Sequence, residues 1–163
     1  MTRSIILILS ILLFTLSCSE ERTQENSVFT YQNSVDIEYG SDICSFSGDP
    51  IETVRYGGKI TLDNGDEHKF MSVECVAGFI LNRDDKSDIV AIQIVDFAHG
   101  QQYLPVDQLV FLRSNLRPSP NGLFLTAIDR SNSRMVDYIY DAYPGEYLEW
   151  DEVLVLVSRE WDI

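Results

Sequence analysis

Six side chains in this sequence carry soft or titratable donors suited to metal or redox chemistry: Cys44, Cys75, Met71, His68, His99 and, near the amino terminus, Cys18. Thiolate and thioether sulfur select Cu(I) and other soft ions, whereas imidazole suits borderline ions. Cys75 lies three residues after Ser72, in the first turn of an expected helix, where the helix dipole favours thiolate if the sulfur is not sealed in apolar surroundings. Met71 precedes the same cap and pairs with Val76 as a hydrophobic staple. His99 follows an inner strand in Asp96-Phe97-Ala98-His99-Gly100, and His68 sits at the edge of a hairpin. Glu74 and Asp96 are carboxylates placed to hold a histidine in one tautomer. Each group also has an ordinary structural use. A free cysteine is usually a small buried apolar residue, a methionine a core filler, and two cysteines in an oxidising compartment a disulfide. Closing the loop from Cys44 to Cys75 would stabilise the fold by about 3–4 kcal/mol in the chain-entropy description.

The elements that must position these groups can be read from periodicity. His68 to Met71 is a short strand running directly into a helix capped by Ser72 and ending near Asn82, with Val76, Phe79 and Ile80 as its apolar stripe. Before it, Val35 to Tyr39 alternates as a strand, Ile43 to Pro50 is a loop, and Tyr56 to Leu62 is a strand closed by the Asp63-Asn64-Gly65-Asp66 turn. Ile89 to Val95 is a β-branched inner strand. The second half repeats the order: strand Leu109–Arg113, a turn over 115–122, strand Leu123–Ile128, a helix within 129–143 capped by Ser131 or Ser133, and a strand Val153–Val157. The expected class is therefore α+β, two similar ββαβ lobes over about 35–100 and 101–163 of one domain spanning 35–163. Each lobe alone is too small to bury a substantial core, so the two must pack together.

The amino terminus reads as an address. Arg3 is followed by the apolar run Ile5–Leu16, too short to span a bilayer and suited to the core of a secretory signal over residues 1–17. Thr15-Leu16-Ser17-Cys18 resembles a bacterial lipoprotein cleavage box, which implies an acylated Cys18, a bilayer as partner, and a polar tether over residues 18–34. The expected location is extracytoplasmic and membrane-anchored, facing the periplasm or the cell surface, with the outer membrane favoured. Net charge is -14 from 26 acidic and 12 basic residues. Such a chain repels nucleic acid and anionic membrane surfaces. There is no nucleophile elbow, no phosphate-binding glycine loop, no H-E-x-x-H and no C-x-x-C, so an enzyme is the least supported class.

One ordered set of motifs resembles a known family. The series runs C44-S-F-S-G-D-P-I51, Tyr56-Gly57-Gly58, K69-F-M-S-V-E-C75, Asp96 to Gly100 and Ser119-Pro120-Asn121-Gly122, spanning roughly residues 40–130. It is similar to the NosL family, accessory lipoproteins of nitrous oxide reductase. The resemblance implies two ββαβ lobes and a copper chaperone that holds Cu(I) for an extracytoplasmic cuproenzyme. Carried over position by position, it implies Cys44 and Cys75 as ligands, with Met71 and His99 as helpers and Glu74 and Asp96 behind them. The chain departs from the family at three soft positions: Ser47 stands for a second loop cysteine, and Asp49 and Asn121 stand for methionines. Two readings follow. One is a two-coordinate Cu(I) lipoprotein resting on Cys44 and Cys75; the other is a metal-free scaffold lipoprotein that binds a protein partner, with those two cysteines as a structural disulfide.

Overall fold

The computed structural model describes residues 34–163. The signal segment, Cys18 and nearly all of the tether lie outside the described residues. Two small antiparallel sheets and three helices make up the fold, in the order β1 (Gly58–Leu62), β2 (Glu67–Phe70), α1 (Val73–Leu81), β3 (Ile89–Val95), β4 (Tyr103–Pro105), β5 (Leu109–Arg113), β6 (Leu125–Asp129), α2 (Ser133–Ala142), β7 (Glu146–Leu148) and α3 (Trp150–Trp161). The first sheet has strand order β2-β1-β3-β4 and the second β6-β5-β7. In each lobe the first strand of the ββαβ unit is thus central, flanked by its hairpin partner and by the strand that follows the helix. The α+β class with two like lobes is what the sequence predicts.

The lobes meet across α1. Val73, Cys75, Val76, Ala77 and Ile80 share one apolar core with Ile60, Phe70 and Ile94 of the first sheet and with Phe111, Leu125 and Ala127 of the second. Successive strand residues alternate between faces, so the second sheet also presents Leu112 and Ile128 to its other side, where Ile139 of α2 covers them. On α1 every residue from Val73 to Gly78 is buried, and Phe79, expected in the buried stripe, is only half-buried. At the rim it meets Phe70 edge-on and His68 at a tilt, with ring centroids 5.1 and 4.8 Å away. A helix wedged between two sheets has no single dry face, so a one-stripe reading selects the wrong edge residue. Glycine makes the wedge possible at two places. A Cβ on Gly58 would lie 2.6 Å from Val76 Cγ2, and one on Gly78 would lie 2.7 Å from the rings of Phe46 and Trp161.

Three elements differ from the sequence expectation. Residues 35–39 form no strand; Ser34 makes an isolated bridge to Gln102, and the chain then crosses the outer face of the first sheet. Asp36 anchors it there, 3.2 Å from buried Lys59 Nζ and 3.1 Å from the Tyr103 hydroxyl. The cap of α2 is Asn132, whose Oδ1 accepts the Met135 N–H at 3.3 Å, not Ser131 or Ser133. The largest difference is at the carboxyl terminus. Val153–Val157 is helical, within α3, and the last strand of the second lobe is β7, seven residues earlier in the chain. Alternation in V-L-V-L-V suits a strand, but Val153, Leu156 and Val157 are also spaced i, i+3, i+4, and these three are the buried ones. Glu152 Oε2 accepts the Glu149 N–H at 2.8 Å, closing the first turn. Packing against α1 then settles the period.

Candidate metal centre

Cys44 is set in a tight loop. The bridge between Ile43 and Pro50, the Cys44 N–H to Asp49 carbonyl bond of 2.8 Å, and Gly48 at φ 78° close it on itself. The Ser45 N–H donates to the Lys69 carbonyl at 2.9 Å and fixes the loop to the end of β2. Phe46 lies flat on Trp161 of α3, centroids 5.3 Å apart, over Gly78. Cys75 enters from the other side as the third residue of α1. Its N–H donates to the Ser72 hydroxyl at 3.2 Å, so Ser72 caps the helix as the sequence predicts.

The two thiols meet, free and buried, and hydrogen-bond to each other. The bond from Cys75 is the main reason that the Cys44 thiol is drawn down to about 5. The Ser47 N–H and hydroxyl and the Met71 N–H add to it, against the opposing effect of burial. Cys75 is driven up, first by that same bond to Cys44, then by burial and by the Cys44 charge. The two thiols therefore titrate as a unit, their contact lowering Cys44 and raising Cys75. The sequence expectation of a thiolate at the helix start held only for a sulfur not sealed in apolar surroundings, and Cys75 is fully buried. The Cys44 contact and burial outweigh the dipole at the start of α1.

Asn121 completes the pair. Its Oδ1 accepts the Ser72 hydroxyl at 2.7 Å and lies 3.1 Å from Cys75 Sγ, whose one proton serves either Asn121 or Cys44 at a time. Met71 is close as well: the Ser47 hydroxyl points at Met71 Sδ, 3.4 Å away, and also reaches Cys44. One hydroxyl proton serves these two sulfurs one at a time. Asp49 is exposed and meets the loop through its backbone. The positions where the resembled family carries soft donors thus divide. Ser47 and Asn121 touch the thiol pair, and Asp49 does not reach it through any side-chain contact.

His99 is elsewhere. Its Nδ1 is bound by the Asp96 carboxylate, half of its side chain is exposed, and neither group contacts a cysteine. Asp96 is fully buried and works as a staple between lobes: Oδ1 accepts the Asp129 N–H at 3.2 Å while Oδ2 holds His99. Among the described residues, no three His, Cys, Asp or Glu side chains converge as a metal-binding group. Glu74 does stand behind the centre. It is fully buried, accepts the Ser119 hydroxyl and the Leu123 N–H, and burial holds its carboxyl above the usual range. By gripping both ends of Ser119–Leu123 it sets Asn121 against Cys75. The sequence left Glu74 either a histidine partner or a role at the helix start; in the structure it grips a loop. The contacts of Asn121 had one sequence signal, its place in Ser119-Pro120-Asn121-Gly122.

Two cysteine sulfurs side by side, with a thioether at the edge and an amide oxygen above, form a soft two-sulfur site with hard surroundings. The fold is a two-lobed α+β fold, similar to that of NosL. One solved structure with a similar fold is the crystal structure of the copper chaperone NosL from Shewanella denitrificans, matched with a TM-score of 0.61 and 13% identity over 74% of this chain and 94% of that one. At that identity the likeness is one of fold. No protein-family model matches the chain, and no curated protein matches its sequence.

Proposed function

We propose that this chain is an extracytoplasmic, membrane-anchored accessory lipoprotein that holds one Cu(I) between Cys44 and Cys75 and passes it to a cuproenzyme client such as nitrous oxide reductase. It is a carrier and not an enzyme. The observation that carries the reading is the pair of free, buried cysteines in contact, a contact that draws the Cys44 thiol down. Cu(I) is satisfied by two thiolates in a line, so the site needs no third ligand. Binding would replace the Cys75 proton by the metal ion and release it to solvent. Met71 is near enough to assist, and the similar fold of a copper chaperone supports the cargo. His99 is tied to Asp96 and is not part of this ligand set. Acylation of Cys18, a lipid bilayer as partner and a tether to residue 34 complete the reading, on the strength of the lipoprotein-like box alone.

The test is an anaerobic competition titration of reduced protein against a Cu(I) chelator. The wild type should take up one equivalent. Cys44→Ser and Cys75→Ser should each abolish uptake, and Asn121→Met should tighten it by placing a soft donor at the thiol pair. A wild type that competes no better than the double serine variant would leave the metal-free scaffold, with a Cys44–Cys75 disulfide formed on oxidation, as the function.

A further inference from the structure

Lys59, Lys69, Arg83, Arg113, Arg130 and Arg159 each pair with a carboxylate. Among the described residues Arg55, Lys86, Arg117 and Arg134 pair with none, in a chain where acids outnumber bases 26 to 12. Of these four, Arg55 and Arg117 lie against an aromatic ring. Both lie over the same ring. The Arg117 guanidinium is 4.7 Å from the Phe97 centroid and 5.6 and 5.5 Å from those of Tyr56 and Tyr143; that of Arg55 is 5.6 Å from Phe97. Arg117 Nε is buried and has no hydrogen-bond partner. Arg55 is exposed and sits at φ 82°, in the left-handed region that an arginine seldom adopts. The carboxylate next to Phe97, that of Asp96, does not answer either cation, because Ala98, His99 and Asp129 take up its oxygens. Each guanidinium thus lies over the Phe97 ring, that of Arg117 with the Tyr56 hydroxyl as a further partner and that of Arg55 at the expense of backbone strain. Among the described residues neither is paired with a carboxylate.

We propose that Arg55 and Arg117 form a binding site for a carboxylate carried on an apolar group. Guanidinium presents planar paired N–H donors that match an oxyanion, and its stacking on aromatic rings fixes the fork in place beforehand. The charge of the whole chain decides which oxyanion. A net -14 repels polyanions, and the cost rises with ligand charge, so a single carboxylate is preferred over phosphates or nucleic acid. Exposed Val54 and Leu116, the immediate chain neighbours of Arg55 and Arg117, offer apolar surface for the rest of the ligand. The site is independent of the thiol pair and of copper. A free small acid and the carboxyl terminus of a partner protein present the same chemistry.

The experiment follows the arginine Nε–Hε NMR signals of the full chain during titration with N-acetylphenylalanine, with N-acetylphenylalaninamide, with a pentapeptide ending in a free phenylalanine carboxylate, and with inorganic phosphate. The two carboxylates should give saturable shifts at Arg55 and Arg117. The amide and phosphate should bind at least tenfold more weakly. A pentapeptide tenfold tighter than the free acid assigns the site to a protein terminus, and equal affinities assign it to a small acid. Arg117→Gln should lose binding tenfold or more. Because that change also opens the aromatic cage, Arg55→Gly is the decisive variant: glycine accepts φ 82° without strain, so the melting temperature should not fall while binding falls at least tenfold. Equal shifts with acid and amide, or Arg55→Gly that melts lower and binds as before, would overturn the proposal and make the two arginines structural plugs.

Discussion

The two lobes share a chain order and a sheet topology, yet one holds the thiol centre and the other does not. Strand β1 lies between β2 and β3 as β5 lies between β6 and β7, and a helix follows each hairpin. The difference is in the helices. In α1 seven of nine residues are buried, so its first turn opens into the interior and Glu74 and Cys75 are dry. In α2 only Ile139 is buried, and Tyr138 on the opposite side is 70% exposed. A side chain at the first turn of α2 meets water, where no thiol is depressed and no carboxyl is raised. Equal topology therefore gives unequal chemistry. What made the first lobe reactive is that its helix serves as the shared core of both lobes.

The largest expected effect concerns the charge stored in that interior. Replacing Cys75 by alanine removes the donor that holds Cys44 ionised, so Cys44 should climb from about 5 back toward the ordinary thiol range. Thiolate absorbance near 240 nm during a pH titration of the reduced protein measures this; an unmoved inflection would mean that Ser47 and Met71 suffice without the partner thiol. The same shifts set a stability profile. Cys44, depressed in the folded state, contributes stability in full above its unfolded value of 9.0 and loses it as pH falls through about 5. Cys75, raised in the folded state, contributes below the same ordinary value and costs stability above it. Relative to the double serine variant, wild-type stability should rise from pH 5 to 9 and fall beyond, as read by denaturant melts.

A medium effect separates the two helices by packing. Ile80→Ala on α1 should cost about 2–5 kcal/mol, since Ile80 is 6% exposed in the shared core. Tyr138→Ala on α2 should change stability by no more than about 0.5 kcal/mol. Similar losses from the two would break the comparison, since α2 would then be as deeply engaged as α1.

The smallest effect is at the caps, where the lobes look alike. Ser72→Ala and Asn132→Ala should each cost about 1 kcal/mol, because each removes an acceptor for one backbone N–H of its first turn. Only Ser72→Ala should also change the thiolate titration, because Ser72 shares Asn121 with Cys75. An Asn132→Ala variant with an altered titration would show the lobes to be coupled through more than α1.

The sequence by itself determined what depends on near neighbours. The span Ile89–Val95, the hairpin turn at Asn64-Gly65, the Ser72 cap and the repeated ββαβ order all rest on signals within a few residues of one another. It also brought forward the two cysteines, through their places in a loop and at a helix start. Tertiary structure decided the rest. Val153–Val157 satisfies both strand and helix periods, and only packing on α1 selected the helix, which in turn supplies Trp161 to the Cys44 loop. The 30 positions between Cys44 and Cys75 give no local sign that the sulfurs meet, a pairing that only the family resemblance and the disulfide reading offered. Nothing local indicates that the contact lowers the loop cysteine and raises the helix one. The Asp96–His99 contact was local and within reach of the sequence, but that it lies away from the thiols was not, nor that Glu74 goes to Ser119, 45 residues away. Protonation and ligand sets follow distances between atoms remote in the chain, and local periodicity does not encode those distances.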